Sequence, residues 1–204
     1  VLVGANGAGK STMMKAVSSL VSPMSGEISF NGRRIDTLPA HSIIGLGLAH
    51  VPEGRQLFPE MTVKENLEMG ALSPAAKLTR KETYQKALSL FPRLRERERQ
   101  MAGTLSGGEQ QMCAIARGLM ARPKMMLFDE PSLGLSPVLT QEVFRLVQKI
   151  HEEGMTILMV EQNVKQTLGI CDRAYVLENG RILMQGKGKD LLEDQKVKEA
   201  FLGI

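Results

Sequence analysis

The sequence predicts an α/β protein built around a mostly parallel sheet, on three observations. Short apolar strands alternate with helical stretches. A glycine-rich loop, Gly4 to Ser11, joins the first apolar segment to a helix. A later apolar run, Lys124 to Phe128, ends in the adjacent carboxylates Asp129 and Glu130. The chain has 204 residues, 43% hydrophobic and 24% charged, enough for one packed domain with a smaller subdomain and too apolar for disorder. Its formal net charge of +4 is not gathered into a basic stripe, which argues against a nucleic-acid binder. The run Arg93 to Arg99 alternates in sign and reads as a solvated helix face. Cys113 and Cys171 have neither metal-ligand nor disulfide spacing, so a reducing compartment is expected. No apolar run approaches the ~18 residues of a membrane span, and no signal peptide is visible. Work at a membrane would need spanning helices from other chains.

In chain order, Val1 to Val3 read as the end of a buried strand. Strands usually run about five or six residues, so an N-terminal β segment is expected to be missing. A helix is predicted from Lys10 to about Val21, stopped near Pro23. Glu27 to Phe30 and Arg33 to Ile35 flank Asn31-Gly32, a pair suited to the positive φ of a tight hairpin. Leu46 to Val51 read as a strand. Thr62 to Gln100 are mainly helical, broken at Pro74 and Pro92, and Gly108 to Met120 form a further helix. Pro137 to Glu153 form a long helix with proline in its first turn. Met155 to Val160 read as a strand and Val164 to Gly169 as a short helix. Ala174 to Leu177 and Arg181 to Met184 form a second hairpin about Glu178-Asn179-Gly180, and Gly188 to Leu202 read as helical.

Gly4-Ala5-Asn6-Gly7-Ala8-Gly9-Lys10-Ser11 matches G-x-x-x-x-G-K-[ST] between a strand and a helix. Glycines let backbone N–H groups converge on phosphate without Cβ clashes. The helix N-terminus adds favourable dipole charge. Lys10 is expected to reach the β- and γ-phosphates, Ser11 to hold Mg²⁺ through its hydroxyl, and Thr12 to lie within reach of phosphate. This motif alone specifies a P-loop nucleotide binder.

Leu105-Ser106-Gly107-Gly108-Glu109-Gln110-Gln111 supplies a second anion-binding helix start. It resembles the signature of ABC ATPases, and Met125 to Pro131 resemble that family's Walker B strand. The resemblance implies that Asp129 holds Mg²⁺ and Glu130 acts as general base. Successive residues leaving a strand point to different sides, so one carboxylate can face the metal and the other the γ-phosphate. Leu133 to Ser136 lie where the family has a loop usually ending in Asp, and this chain has Ser136 at that position. The family usually has Gln at the position of Glu53, and carboxylate oxygen still suits Mg²⁺. It usually has His at the position of Gln162, whose amide donates a hydrogen bond but cannot become a cation.

Val51 to Gly70 (VPEGRQLFPEMTVKENLEMG), LSGGEQQM, DEPSLGLSP and MVEQNVKQTL resemble the F-type ATP-binding subunit of bacterial branched-chain amino-acid importers. Urea and amide importers share most of these strings. Non-transport ABC ATPases of DNA repair or chromosome maintenance carry coiled-coil or zinc-cysteine insertions that this chain lacks. The resemblance implies a RecA-like core over residues 1–53 and 106–204 and an inserted helical subdomain over 54–105. It implies a nucleotide site of Gly4, Asn6, Gly7, Ala8, Gly9, Lys10, Ser11, Thr12 and Glu53, sealed by a partner's Ser106, Gly107, Gly108 and Glu109. Glu130, Gln162 and Lys10 would carry the catalysis, with Ser11, Asp129 and Glu53 at the metal. The implied partners are a sister subunit docked head to tail, two membrane permeases and, indirectly, a periplasmic binding protein, with no nucleic acid. The place would be the cytoplasmic face of the inner membrane. Phe58 to Met61 are expected to dock a permease segment. The family stacks adenine on an N-terminal aromatic, and none precedes Gly4.

Overall fold

The computed structural model describes residues 1–202. The elements run β1 (Leu2–Val3), α1 (Lys10–Val17), β2 (Ser29–Phe30), β3 (Arg33–Arg34), α2 (Ala40–Gly45) and β4 (Leu48–Val51). Four helices follow: α3 (Val63–Gly70), α4 (Pro74–Leu78), α5 (Arg80–Leu90) and α6 (Pro92–Glu96). Then come α7 (Gly107–Leu119), β5 (Met125–Asp129), α8 (Pro137–Glu152), β6 (Thr156–Glu161) and α9 (Val164–Ile170). The hairpin β7 (Ala174–Glu178) and β8 (Arg181–Gly186), the helix α10 (Gly188–Glu193) and two short helical turns complete the described chain.

Six strands make one sheet in the order β4-β5-β6-β1-β7-β8. All pairings are parallel except β7 with β8. Register sets the site: Val51 pairs with Phe128, Asp129 with Val160, and Val3 with Glu161. The carboxyl ends of β1, β4, β5 and β6 therefore open onto one edge, where open α/β sheets bind ligands. Alternate residues of β5 face opposite layers, as the two-residue strand period requires. Met126 and Phe128 enter a core with α7 and α8, while Leu127 packs with Leu2, Val160 and Met14 on the other face.

The first of these cores also holds Leu67, Leu88 and Leu94 from α3, α5 and α6, and Phe91 from the junction of α5 and α6. Each such side chain contributes about 1.5–3 kcal/mol when fully buried. The helical stretch is thus welded to the sheet through α7, whose Cys113, Ala114, Ile115 and Ala116 are buried between them.

Several boundaries differ from expectation for local reasons. The first helix ends at Val17 rather than near Val21, because Ser18 Oγ donates to the Met14 carbonyl at 2.8 Å and Ser19 turns left-handed at φ 55°. The helix α2 was not expected, since Ile43 and Ile44 beside glycine give no helical signal. It forms by burying Ile43 against Leu48. Pro74 and Pro92 begin α4 and α6 rather than merely interrupting a helix. Their missing N–H would have had no partner in a first turn. The C-terminal helix is broken at Asp194, whose carboxylate accepts from the amides of Lys196 at 2.9 Å and Val197 at 3.2 Å. Among the described residues, no helix is long and apolar enough to cross a membrane.

Candidate active site

The loop after β1 is shaped by what lies behind it. A Cβ on Gly4 would collide with the carbonyl of Leu177 in β7. Gly7 and Gly9 adopt φ angles of 80° and 102°, the left-handed region in which glycine carries no steric cost. The Gly180 amide donates to the Ala8 carbonyl at 3.0 Å, so the β7–β8 turn props the loop from below. Ala8 is buried, and Asn6, Gly7 and Thr12 are exposed. Lys10 is 4% exposed and closes the loop on itself, donating from Nζ to the carbonyls of Gly4 at 3.0 Å and Ala5 at 3.1 Å.

Asn6, Gly7, Gly9, Lys10, Ser11, Thr12, Glu53, Glu130 and Gln162 line one cleft of about 350 Å³. Ser11 Oγ donates to Asp129 Oδ1 at 2.9 Å, which joins the start of α1 to the end of β5. Asp129 is 3% exposed. Glu130 leaves the strand with φ 47°. That conformation costs a non-glycine residue of order 1–3 kcal/mol. It swings the Glu130 carboxylate into the cleft, where Gln162 Nε2 donates to Oε2 at 2.6 Å and Lys10 Nζ lies 3.8 Å from Oε1.

Burial raises the Glu130 pKa above its ordinary value. The Gln162 hydrogen bond and Lys10 pull it down, and the nearby Glu53 and Glu161 push it further up. A carboxylate moved toward neutrality in this way is a stronger base once ionised, which suits proton abstraction from water.

Two contributors were not singled out from the sequence. Glu161, 2% exposed, accepts from the amides of Ser132 at 2.9 Å and Gln162 at 3.1 Å, fixing the two loops that carry Glu130 and Gln162. Its position beside Gln162 at a strand end was the available signal. His50 lies beyond Glu53 in a neighbouring cleft with Lys15 and Asp129. Its buried Nε2 has no partner among the described residues, and burial lowers its pKa.

The signature residues do not line the phosphate cleft. Ser106 is exposed and caps α7, and Glu109 closes a capping box: its Oε2 accepts from the Ser106 amide at 3.0 Å and the Ser106 hydroxyl at 2.7 Å. Arg97 Nε pairs with Glu109 Oε1 at 2.8 Å, and the Ser106 hydrogen bond holds the Glu109 carboxyl below its usual pKa. Glu109 thus serves its own helix start. Gly107 and Gly108 follow in the first turn, with Gly108 packed against Leu139 so closely that a Cβ there would stand 2.8 Å from it. Ser136, where the family has Asp, accepts from the Leu139 amide at 3.4 Å as the cap of α8.

The family model for ABC transporters matches residues 1–133. The high-affinity branched-chain amino acid transport ATP-binding protein BraG of Pseudomonas aeruginosa is 50% identical over 99% of this chain and 86% of its own. The probable branched-chain amino acid transport ATP-binding protein LivF of Archaeoglobus fulgidus is 40% identical over 100% and 86%. The ADP conformation of MJ1267, an ATP-binding cassette of an ABC transporter, superposes with a TM-score of 0.85 at 30% identity, over 100% of this chain and 87% of that one. With a phosphate-loop cleft, a paired-carboxylate strand end and a signature helix all in place, the chain belongs to the ABC transporter family and is one of its ATP-binding, ATP-hydrolysing cassettes.

Proposed function

We propose that the chain is the ATPase subunit of an importer for branched-chain or similar hydrophobic amino acids. Two relatives named for branched-chain amino-acid transport support that cargo class, each aligned over essentially the whole chain. The observation that carries the chemistry is the convergence of Lys10, Glu130 and Gln162 on one cleft beside the Ser11–Asp129 pair.

Backbone N–H groups from Gly4 to Ser11 and the Lys10 ammonium hold the triphosphate tail. Lys10 exchanges its two loop carbonyls for phosphate oxygens. Ser11, Asp129 and Glu53 are hard oxygen donors on one side of the cleft, a donor set that suits Mg²⁺. Bound there, Mg²⁺ would neutralise charge on the β- and γ-phosphate oxygens. Glu130 accepts the proton of the attacking water, and Gln162 orients the Glu130 carboxylate. Thr12 stands at the mouth of the cleft, within reach of phosphate.

The phosphate cleft of one molecule stands open, with Asn6, Gly7 and Thr12 exposed. Ser106 stands exposed at the start of α7, elsewhere on the same molecule, with Gly107 half-buried and Gly108 buried behind it; this helix start fits a neighbour's triphosphate in a head-to-tail pair. A sister ATP-binding subunit is the neighbour proposed. Permease subunits dock at the surface near Phe58 to Met61, beside a groove of about 350 Å³ lined by Phe58, Leu72 and Arg117, where the Arg117 guanidinium lies 5.5 Å from the Phe58 ring centre. A periplasmic binding protein would deliver cargo to the permeases. The chain then sits peripherally on the cytoplasmic face of the membrane, with residues 54–105 as its helical subdomain.

Reconstitution with the permeases and a binding protein tests the proposal. Leucine, isoleucine or valine should stimulate ATP hydrolysis. Stimulation by urea or short amides alone would replace the cargo class, and hydrolysis that ignores every cargo and the permeases would remove the transport role.

A further inference from the structure

Arg55 joins three segments of the proposed two-molecule site. It lies two residues beyond Glu53, in the run Gly54, Arg55 and Gln56, whose φ angles of 76°, 65° and 44° are all left-handed. Its Nη1 donates to Gln110 Oε1 in α7 at 3.1 Å. Gln110 Nε2 donates in turn to the carbonyl of Ala102, just before the signature, at 3.3 Å. The guanidinium packs on Gly107, where a Cβ would stand 3.1 Å from Nη2, and approaches Gly134 in the turn after Glu130. The Arg55 carbonyl accepts from Arg117 Nη2 at 3.3 Å.

Each of these contacts belongs to a different part of the engine: the metal-side loop, the helix start offered to a neighbour, and the segment leaving the base. A backbone held left-handed at two consecutive non-glycine residues persists only where its surroundings over-determine it. Here the Gln56 amide donates to the Gly54 carbonyl at 2.7 Å, Arg117 holds the Arg55 carbonyl, and Gln110 holds the Arg55 guanidinium. A nucleotide that displaces Glu53 would pull on this run, and with it on the guanidinium's hold on Gln110 and Gly107.

We propose that Arg55 is a positioning residue that aims the Ser106–Gly108 turn according to the state of the chain's own Glu53 loop. One molecule's nucleotide site thereby governs how well it seals its neighbour's. The inference rests on the two-molecule site proposed above. The planar fork is essential to it, because one face packs on glycine while one edge donates to Gln110, a combination an ammonium cannot reproduce.

The test uses the full-length chain with Arg55→Lys, Arg55→Ala, Gln110→Ala and the Arg55→Ala/Gln110→Ala double variant. A fluorescent ATP analogue reads binding to single molecules. Sedimentation in a Glu130→Gln background, alone and with the sister subunit, reads ATP-driven association. Analogue binding should stay within about twofold of the parent and the melting temperature within about 3 °C. Association should weaken at least about fivefold, the low end of a typical site-to-site coupling. The kcat should fall roughly tenfold with KM nearly unchanged, for Lys as for Ala, and the double variant should be no worse than Arg55→Ala alone. Parent-like association and turnover in the Arg55 variants would overturn the proposal. So would losses that multiply in the double variant, or losses tracking a collapse in analogue binding or melting temperature. If the Glu130→Gln parent itself fails to associate on ATP, the two-molecule reading fails and this proposal falls with it.

Discussion

Gln162 Nε2 donates to Glu130 Oε2 at 2.6 Å, so the carboxylate placed to take a proton from water is already oriented by a neutral amide. Its other oxygen lies 3.8 Å from the Lys10 ammonium. With the proposed base held between a fixed donor and a cation, replacing the carboxylate by an amide of the same shape should spare nucleotide binding. Glu130→Gln is expected to bind ATP with near-parent affinity and to release phosphate about 10²–10⁴-fold more slowly, the usual span of general-base catalysis. Equilibrium binding and single-turnover phosphate release check the two halves separately.

The same pair predicts a pH profile. Burial raises the Glu130 pKa, and the Gln162 hydrogen bond opposes the rise. Only the ionised carboxylate can accept a proton. The acid limb of kcat should therefore fall through an inflection above the ~4.3 of a free glutamate. Gln162→Ala removes a group that favours the charged form, so its acid limb should shift to higher pH. Gln162→His should instead add a titration near pH ~6.5, absent from the parent. Full pH–rate profiles of the three proteins read both effects.

Glu53 brings a carboxylate to the phosphate cleft, within the field of Glu130. Glu53→Gln removes one negative charge from the metal side. It should weaken the apparent Mg²⁺ affinity several-fold, where tenfold corresponds to ~1.4 kcal/mol, and lower the acid limb of kcat, since one group raising the Glu130 pKa is gone. Turnover measured against free Mg²⁺ at fixed ATP checks the first, and the pH profile the second. Unchanged constants would place residue 53 outside the site.

At Gly4 the constraint is steric. A methyl group there meets the Leu177 carbonyl, which is backbone and cannot rotate away. Gly4→Ala should cost about 1–3 kcal/mol, as overpacking does, and lower the melting temperature by roughly 2–4 °C per kcal/mol. Because the displaced segment is the phosphate loop, ATP affinity should fall too. Calorimetry and nucleotide titration on one preparation check both.

The phosphate loop, Asp129-Glu130 and the signature were legible because each couples a fixed residue spacing to a strand end or a helix start. The alternation of apolar strands and helices gave the parallel core for the same reason. What escaped depended on contacts distant in sequence. Glu161 sits beside Gln162 at a strand end, but its second partner, the Ser132 amide, lies 29 residues away in sequence. Arg55 lay in a quoted string, yet its reach to Gln110 appears only when α7 is packed beside β4. The early end of α1 turned on one hydroxyl, Ser18, bonding back to Met14, an option every serine near a helix end has and few reveal in advance.

The prop beneath the phosphate loop also sets an order for biogenesis. Gly4 to Ser11 leave a ribosome well before the Leu177 carbonyl that abuts Gly4 and the Gly180 amide that grips Ala8. Domains generally fold as units once their distant partners are made, so a nascent chain interrupted before the β7–β8 turn would carry the nucleotide motif without the groups that shape its loop. Such fragments should be poor traps for ATP.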